Sequence, residues 1–569
     1  MANFTRLLQP SYTQTPSRTA VVLQHAGQED VSLTYGELIE GAHGYSRELD
    51  RKGVRPGDVV VLILQHGADL VNAYWGTILQ GAVPSIMPFL TEKLSPERYR
   101  ADLSVLIGVT RPAAIITYPE FEAEVRGALS ARGSPNEVEL ASGPSPVLIL
   151  AGQVDPPSAP AFDALPGLHR MPEHVALLQH SSGTTGLQKG IALSHGAALN
   201  QLEAYCEAIR LDPATDVIVS WLPLYHDMGL IAGFLLPILK GVPLVLMSPF
   251  DWVRAPYRLM KAVSRYRGTL TWLPNFAYNF CAQMIRPGHI EGIDLSSWRA
   301  VINCSEPVRA ASHTLFYEKF KPCGLQPDAL QTCYAMAENV FAVTQSAMGR
   351  QPVTMQVDSA AFISERLVRP VNGGKPAMTL MSSGRPLKNT SLRVLDDKAK
   401  DLPEGVVGEI AIRSDSMLSG YYNRPEATER AFADGWYLTG DYGFLLDGEV
   451  FVAGRRKDLI IVGGKNIYPQ DLEALAGEVE GVRAGRVAAF GVYNDELGTE
   501  DVVIVAEAED ARADVQSLAD KVRLYVTRNS AIALRRVEIV ESSWILKTSS
   551  GKVARGANKE KFLSEFNRS

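Results

Sequence analysis

This sequence lacks the features that mark several classes of protein. Its 569 residues include only five cysteines, an odd number without a CxxC pair, which disfavours a disulfide framework or a zinc site. Hydrophobic residues at 46% and charged residues at 21% are typical of a globular protein and exclude wholesale disorder. The net charge of −7 argues against a general nucleic-acid binder, because such proteins are usually basic.

Long apolar runs are also missing. The first six residues lack the apolar core of a signal peptide. The most apolar stretch, residues 230–247, is interrupted by Pro237, Lys240 and Pro243, whereas a membrane-spanning helix needs about 20 apolar residues. We therefore expect this stretch to lie in a buried core and the protein to be cytoplasmic.

The pattern along the chain predicts an α/β protein of several units. Residues 31–170 and 173–345 alternate buried-strand and helix patterns, as expected for two α/β subdomains. The stretch 130–172 is rich in Pro, Ser and Gly, which predicts a loop between them. After residue 385, short strands and Gly-rich turns indicate a β-rich subdomain, and from residue 458 strands and helices alternate again.

A strand pattern at 175–179 runs into a loop of glycines, hydroxyl side chains and one lysine. Glycines let the backbone approach a polyphosphate, and amides and hydroxyls can then donate to its oxygens. The Walker A pattern does not fit, and the composition alone also allows a flexible surface turn. The candidate phosphate-binding residues are Ser181, Ser182, Gly183, Thr184, Thr185, Gly186 and Lys189.

A second candidate segment, residues 220–230, is apolar apart from the adjacent His226 and Asp227. A histidine among apolar residues is often structural, so that alternative stays open for the residues alone. Apolar segments here and at 272–278 would suit an alkyl chain, since burying each CH₂ contributes about 0.8 kcal/mol.

These segments and several others, in this order, resemble the adenylate-forming superfamily of acyl-CoA synthetases, nonribosomal adenylation domains, luciferases and fatty acyl-AMP ligases. The resemblance covers roughly residues 10–560. Gln188 stands where the family usually has proline, a change that removes no hydrogen-bond donor. The other matching segments are 303–309, 333–339, 435–441, 454–458 and 546–552.

The resemblance implies roles for individual residues. Lys189 would hold pyrophosphate, and His226 would border the path of the carboxylate. Glu338 would bind Mg²⁺, a hard cation that prefers oxygen ligands. Tyr334 would stack on adenine and Asp441 would bind the ribose. The implied nucleotide-binding residues are Ser305, Glu306, Pro307, Tyr334, Ala335, Met336, Asp441 and Arg455.

The resemblance also implies two domains. Residues 1–456 would form a large N-terminal domain of two α/β subdomains and a β-rich subdomain, which binds the acyl chain and ATP. Residues 457–569 would form a small mobile α+β C-terminal domain that rotates about the hinge Lys457. Lys552, in the loop Leu546-Lys547-Thr548-Ser549-Ser550-Gly551-Lys552, would be the catalytic lysine, although a solvated loop is the ordinary interpretation of such a sequence.

The branch most similar to this sequence is the fatty acyl-AMP ligases. The chain between Glu338 and Gly384 is long, and its extra stretch, about 351–381, resembles the insertion that disfavours use of CoA in that branch. We expect its apolar residues to anchor it, although a long surface loop is the alternative. These residues are Val357, Phe362, Ile363 and Leu367.

The implied function is activation of a fatty acid with ATP and Mg²⁺ to acyl-adenylate, followed by transfer to the phosphopantetheine thiol of an acyl carrier protein in lipid or polyketide synthesis. Seven basic and three acidic residues between 535 and 561 predict either a surface for this acidic partner or a merely solvated face. Two other functions remain open: a fatty acyl-CoA ligase that uses free CoA, and a non-catalytic acyl-adenylate-binding protein.

Overall fold

The computed structural model describes most of the chain. The described residues are 2–90, 96–130, 145–180, 189–371, 377–462, 465–494, 499–510, 512–530, 532–548 and 551–566. The candidate phosphate-binding residues Ser181 to Gly186 lie outside this part. No helix in the described ranges is long and apolar enough to cross a bilayer.

The first part of the chain, up to residue 194, alternates strands and helices as predicted. Its elements are α1 (Phe4–Gln14), β1 (Thr19–Gln24), β2 (Val31–Thr34), α2 (Tyr35–Arg51), β3 (Val59–Ile63), α3 (Ala68–Leu79), β4 (Val83–Ile86), α4 (Pro96–Thr110), β5 (Ala114–Thr117), α5 (Glu122–Ser130), β6 (Val147–Leu150), β7 (Val175–His180) and β8 (Gly190–Ser194). A capping box between Thr34 and Glu37 starts α2, which satisfies amide groups that the helix itself leaves unbonded.

The second part continues to residue 332 with the same alternation. Its elements are α6 (His195–Ala208), β9 (Ile218–Ser220), a π-helix (Met228–Leu235), α7 (Leu236–Lys240), β10 (Leu244–Met247), α8 (Pro249–Arg254), α9 (Tyr257–Tyr266), β11 (Leu270–Leu273), α10 (Asn275–Met284), β12 (Ala300–Asn303), α11 (Ala310–Phe320) and β13 (Leu330–Thr332). The apolar stretch 230–247 is buried as expected, apart from a half-buried Lys240, Gly241 and Pro243.

Two seven-stranded sheets organise these elements. One has the order β13-β12-β11-β9-β10-β1-β2, and all its neighbours are parallel except β1 and β2. In the other, β7, β4, β3, β5 and β6 run parallel, and β8 is antiparallel to β7. The inner strands are buried along their whole length, because helices cover both faces of such sheets.

The prediction of a loop over residues 130–172 was wrong in part. Residues Val147–Leu150 form β6, which pairs with β5 at the edge of the second sheet. Four consecutive apolar residues pair there because β5 presents an unpaired edge. The proline- and serine-rich residues around them concealed this short strand.

The third part is rich in short strands, as the sequence predicted. Its elements are β14 (Thr344–Gln345), β15 (Thr354–Asp358), α12 (Ser359–Glu365), β16 (Ala377–Met381), β17 (Arg385–Pro386), β18 (Thr390–Leu395), β19 (Gly408–Ser414), β20 (Gly420–Tyr421), α13 (Pro425–Arg430), β21 (Phe432–Ala433), β22 (Trp436–Leu446) and β23 (Glu449–Arg455). Strands β18, β19, β22, β21 and β23 form one antiparallel sheet, and β20 joins β8 of the second seven-stranded sheet.

The last part forms a small α+β unit around a three-stranded sheet. Its elements are β24 (Ile460–Val462), β25 (Lys465–Ile467), α14 (Pro469–Gly477), β26 (Val482–Asn494), β27 (Thr499–Ala508), α15 (Val515–Ser530), β28 (Arg536–Val540) and α16 (Arg555–Phe566). As predicted, Pro469 opens a helix whose apolar side is buried at Leu472 and Ala476.

The stretch that resembles an insertion is a structured hairpin rather than a surface loop. Strands β15 and β16 pair antiparallel, with α12 between them. The expected anchors Val357 and Phe362 are 0% and 2% exposed. Leu367 is half-buried, and the side chain of Ile363 lies outside the described part.

Candidate active site

The candidate residues follow the carboxyl ends of neighbouring parallel strands. In the first sheet, β9, β11, β12 and β13 lead into segments that contain His226, Phe276, Glu306 and Tyr334. Parallel neighbours place their carboxyl ends at one edge, which is where open α/β sheets bind ligands. The topology therefore brings these four segments together.

A buried carboxylate links two strands of the β-rich sheet to the first sheet. The Tyr334 hydroxyl donates to Asp441 Oδ2 at 2.7 Å, and Arg455 Nε lies 3.3 Å from Asp441 Oδ1. Asp441 lies within β22 opposite Arg455 of β23, directly after Gly440 (φ +69°). Both oxygens of Asp441 are thus oriented by side chains that face the candidate nucleotide site.

Ala335 and Met336 form the backbone beside Tyr334. Ala335 pairs with Ala342 as an isolated antiparallel bridge, and the Met336 amide donates to the Phe341 carbonyl at 2.8 Å. Burial, followed by the neighbouring Asp441, holds the pKa of Tyr334 well above its usual range. Tyr334 therefore stays a neutral hydrogen-bond donor.

Glu338 lies in a single 3₁₀ turn and accepts a hydrogen bond from the Tyr421 hydroxyl at 3.1 Å. Tyr421 also bonds the Tyr437 hydroxyl at 3.0 Å. Burial raises the pKa of Glu338, and no described lysine or arginine forms an ion pair with it. A half-buried carboxylate without an ion-pair partner fits a divalent cation, which would favour the ionised form.

Lys189 contacts the same tyrosine network. Its Nζ stands 4.6 Å from the centre of the Tyr421 ring, at the end of the phosphate-loop segment and just before β8. Tyr421 therefore contacts both the candidate metal ligand Glu338 and the candidate phosphate-binding lysine.

His226 and Asp227 form a closely bonded pair at the start of the π-helix. His226 Nδ1 lies 2.6 Å from Asp227 Oδ1, and the same oxygen accepts from the Met228 amide at 2.8 Å. Burial acts to raise the pKa of Asp227, but His226 and Lys552 outweigh it and hold that pKa below its usual range. The pair orients the imidazole, because Asp227 accepts at Nδ1 and leaves Nε2 for another group.

The loop after β12 is strained and fixed to α10. Ser305 has φ +69°, a left-handed conformation that is uncommon for residues other than glycine and clusters at functional sites. Glu306 Oε2 accepts from the Phe276 amide at 2.8 Å, and Pro307 beside it is half-buried. These contacts hold Glu306 beside the start of α10.

The loop that carries Lys552 reaches this site from the C-terminal unit. Thr548 and Lys552 bond each other through backbone and side chain, and Gly551 lies so close to Phe276 that a Cβ there would be 3.3 Å from its ring. Burial and Arg455 lower the pKa of Lys552, while Glu306 and Asp227 oppose that change. The lysine ammonium therefore shares one electrostatic environment with both carboxylates.

Lys457 lies on the segment between the two parts of the chain. It is exposed in a 3₁₀ turn (Arg456–Asp458) that joins β23 to β24. This position connects the β-rich sheet to the unit that carries Lys552.

The predicted basic surface near the C-terminus is largely neutralised. Within the described part of the chain, carboxylates pair with four of the seven cations, which are Arg535, Arg536, Arg555 and Lys559. Arg555 is only 21% exposed and bonds Glu473 and Asp458. A count of charges along the sequence does not reveal these pairs.

Two residues at the site were not assigned roles from the sequence. In the sequence, Asp227 stands out only as the neighbour of His226, although a carboxylate in an otherwise apolar segment already indicates a functional role. Tyr421 carries no sequence signal of its own, because its contacts with Glu338 and Lys189 depend on β20 pairing with β8.

A comparison with known protein families shows the family to which this chain belongs. The profile of the AMP-binding enzyme family matches residues 8–422 of the chain. This protein is an AMP-binding enzyme. The matched range contains Lys189, His226, Tyr334 and Glu338, whereas Asp441, Arg455 and Lys552 follow it.

Similar proteins extend the match over the whole length of this AMP-binding enzyme. The long-chain-fatty-acid–AMP ligase FadD26 of Mycobacterium bovis is 30% identical, over 98% of this chain and 97% of its own. A protein of Caulobacter vibrioides, provisionally named an acyl-CoA synthetase, is 32% identical over 94% of this chain and 91% of its own. The medium-chain-fatty-acid–[acyl-carrier-protein] ligase JamA of Moorena producens is 29% identical over 97% and 93%.

A solved structure from work on fatty acyl-adenylate ligases of E. coli and L. pneumophila shares the fold. Its TM-score is 0.87 at 25% identity, and the match covers 100% of this chain and 98% of that one. The AMP-binding enzyme therefore has the adenylate-forming α/β architecture that its sequence predicted.

Proposed function

We propose that this enzyme activates a fatty acid with ATP to acyl-adenylate and pyrophosphate, and then transfers the acyl group to the phosphopantetheine thiol of an acyl carrier protein. The observation that carries the proposal is the packing of the Lys552 loop on the N-terminal body, where a Cβ on Gly551 would lie 3.3 Å from the Phe276 ring, together with the Tyr334–Asp441–Arg455 network. A lysine delivered to the sheet edge that carries these polar groups suits chemistry at a carboxylate–phosphate centre.

The geometry supports a nucleotide-binding role for several residues. Asp441 accepts from the ribose hydroxyls, because carboxylates commonly bind paired hydroxyls, and Tyr334 offers its ring to adenine. Arg455, which is half-exposed, contacts the nucleotide. Residues of the adenine-side loop and its neighbour complete this part of the site: Ser305, Glu306, Pro307, Ala335 and Met336.

Glu338 would be the protein ligand of Mg²⁺, because one or two protein carboxylates plus substrate phosphates is the usual mode of Mg²⁺ binding and no described cation forms an ion pair with Glu338. The cation would offset negative charge on the phosphates. Tyr421 orients Glu338, and Lys189 adds a positive charge on the pyrophosphate side with the loop residues Ser181, Ser182, Gly183, Thr184, Thr185 and Gly186.

In the first step, a carboxylate oxygen of the fatty acid attacks the α-phosphorus of ATP. The bond from that phosphorus to the bridging oxygen breaks, and pyrophosphate leaves with the electron pair. Lys552 stabilises the charge that develops on the reacting oxygens. His226, oriented by Asp227, borders this path and offers its Nε2 edge to the substrate.

In the second step, the thiol attacks the acyl carbonyl carbon and AMP leaves. Residues 457–569 act as a mobile domain that rotates about Lys457 relative to residues 1–456, which removes Lys552 and admits the thiol. The similarity to JamA, named as an acyl-carrier-protein ligase, supports a carrier protein as the acceptor. The chemistry requires the carrier to bear its phosphopantetheine arm.

The hairpin of residues 354–381 supports a carrier protein over free CoA. Phe362 packs against Phe444 of the β-rich sheet at 6.2 Å and against Tyr468 before α14 at 6.1 Å, measured between ring centres. The hairpin therefore contacts both sides of the hinge. Such a contact restricts the rotation of the C-terminal unit. It therefore favours an acceptor whose own binding to the enzyme supplies free energy for that rotation.

One experiment tests this function. A panel of fatty acids is incubated with ATP and Mg²⁺, pyrophosphate and acyl-AMP are measured, and CoA and a holo carrier protein are then offered separately. We expect acyl-AMP from at least one chain length and transfer mainly to the carrier. Efficient acyl-CoA formation would instead favour the function named for the Caulobacter relative, and absence of acyl-AMP would favour a non-catalytic binding protein.

A further inference from the structure

We propose that an ion pair between Arg309 and Asp471 is a latch that holds the C-terminal unit where Lys552 reaches the adenylation site. Arg309 Nη2 lies 2.7 Å from Asp471 Oδ1. The two residues are 162 positions apart, on opposite sides of Lys457. This inference rests on the proposed two-step reaction and assigns a positioning role, because the pair acts through Lys552.

Arg309 is fixed to the N-terminal body by its backbone. It is the N-cap residue of α11, and its amide donates to Asn275 Oδ1 at 3.2 Å. The same loop is held through Glu306, which accepts from the Phe276 amide. The guanidinium therefore projects from a segment with little freedom to follow the C-terminal unit.

Asp471 is fixed to the C-terminal unit in a similar way. It lies in the first turn of α14, and its amide donates to the Tyr468 carbonyl at 3.1 Å. The neighbouring Glu473 is already engaged by Arg555. The two side chains of the latch are 28% and 17% exposed, so solvent screens this pair less than a fully exposed one.

The contact is linked to the position of Lys552. In the same arrangement Gly551 lies against Phe276, and Lys547 Nζ is 5.9 Å from the centre of that ring. Phe276 follows Asn275, the residue that bonds the Arg309 backbone. A bond made in this arrangement and broken on rotation stabilises the adenylating state relative to any other.

The test separates the two half-reactions. Single-turnover formation of acyl-AMP and transfer from preformed acyl-AMP to the thiol acceptor are measured for Asp471→Asn, Asp471→Arg and Arg309→Asp. We expect Asp471→Asn to slow adenylation about two- to fivefold, the size of a partly exposed ion pair, with transfer unchanged or faster. Asp471→Arg should slow adenylation further, because two cations would then face each other.

The double reversal, Arg309→Asp with Asp471→Arg, should recover at least half of the adenylation rate lost in the single reversals. Asp401→Asn is the matched control, because it breaks an ion pair between Arg393 of β18 and the segment that follows this strand, and it should change neither half-reaction. Equal losses in both half-reactions, no loss in the single variants, or no recovery in the double reversal would overturn the latch.

Hydrogen exchange gives a readout that does not depend on the substrate. The amides of residues 546–554 should exchange faster in Asp471→Arg than in the wild type, and at the wild-type rate in the double reversal. Unchanged exchange in Asp471→Arg would overturn the latch. Lack of acyl-AMP formation by the wild type would contradict the proposed function, while the exchange result would still decide whether the latch exists.

Discussion

The groups proposed to bind the nucleotide and the lysine proposed to act on the reacting atoms are held in different ways. Asp441 accepts a hydrogen bond from Tyr334 and pairs with Arg455, its register partner on β23. Lys552 lies on a loop of another unit and reaches the site through packing against Phe276. The proposed binding groups thus belong to the body of the enzyme, whereas the proposed catalytic charge depends on a contact between the two units.

The largest effect is expected when the ammonium group of Lys552 is removed. Lys552→Ala should slow acyl-AMP formation about 10²- to 10³-fold, the cost of removing a group that stabilises transition-state charge. The measurement is pyrophosphate release at saturating ATP and fatty acid. A variant that releases pyrophosphate at nearly the wild-type rate would contradict the role of Lys552.

The second-largest effect is expected at Glu338, which lies in the body of the enzyme. Glu338→Gln should lower Mg²⁺-dependent activity about 10- to 100-fold, because an amide is a poorer ligand for a hard cation. Burial raises the pKa of Glu338, so wild-type activity should fall with decreasing pH earlier than for an ordinary glutamate. More Mg²⁺ should move that loss to lower pH in the wild type only, and identical pH profiles for both enzymes would exclude Glu338 as the ligand.

A smaller effect concerns the hairpin that joins the two regions. Phe362→Ser should raise the acyl-CoA formed per acyl-AMP by about fivefold, because its buried ring contributes about 1.5–3 kcal/mol to holding the hairpin. Phe121→Ser, in the core beside β5, is the control for general destabilisation and should leave the ratio unchanged. An unchanged ratio in Phe362→Ser, or after deletion of residues 351–381, would show that the hairpin does not determine which acceptor the enzyme uses.

The smallest effect is the salt dependence of transfer to the carrier. Ion pairs already engage Arg535, Arg536, Arg555 and Lys559, so raising the ionic strength should slow transfer about twofold at most. The rate of acyl transfer is measured at several salt concentrations with acyl-AMP formation as the reference. A steep decrease would show that this surface attracts the carrier despite its internal pairs.

The sequence predicted the strands and site motifs of the enzyme's body better than the contacts between the body and the C-terminal unit. Buried strands such as β3, β10 and β12 follow from local apolar runs, and the short motifs around Tyr334 and Asp441 indicated a nucleotide site. The strand β6 was hidden because its four residues sit among prolines and serines. The Arg309–Asp471 pair and the neutralised basic surface were not predictable, because both depend on partners that are far apart in the chain.

The most direct test measures ATP affinity and single-turnover acyl-AMP formation side by side in Lys552→Ala and Asp441→Asn. We expect Lys552→Ala to keep its ATP affinity and to lose the rate, because its charge serves the reacting geometry. Asp441→Asn should lose about tenfold in ATP affinity and keep most of its rate at saturating ATP. Loss of the same quantity in both variants would show that binding and chemistry are not divided between the body and the C-terminal unit.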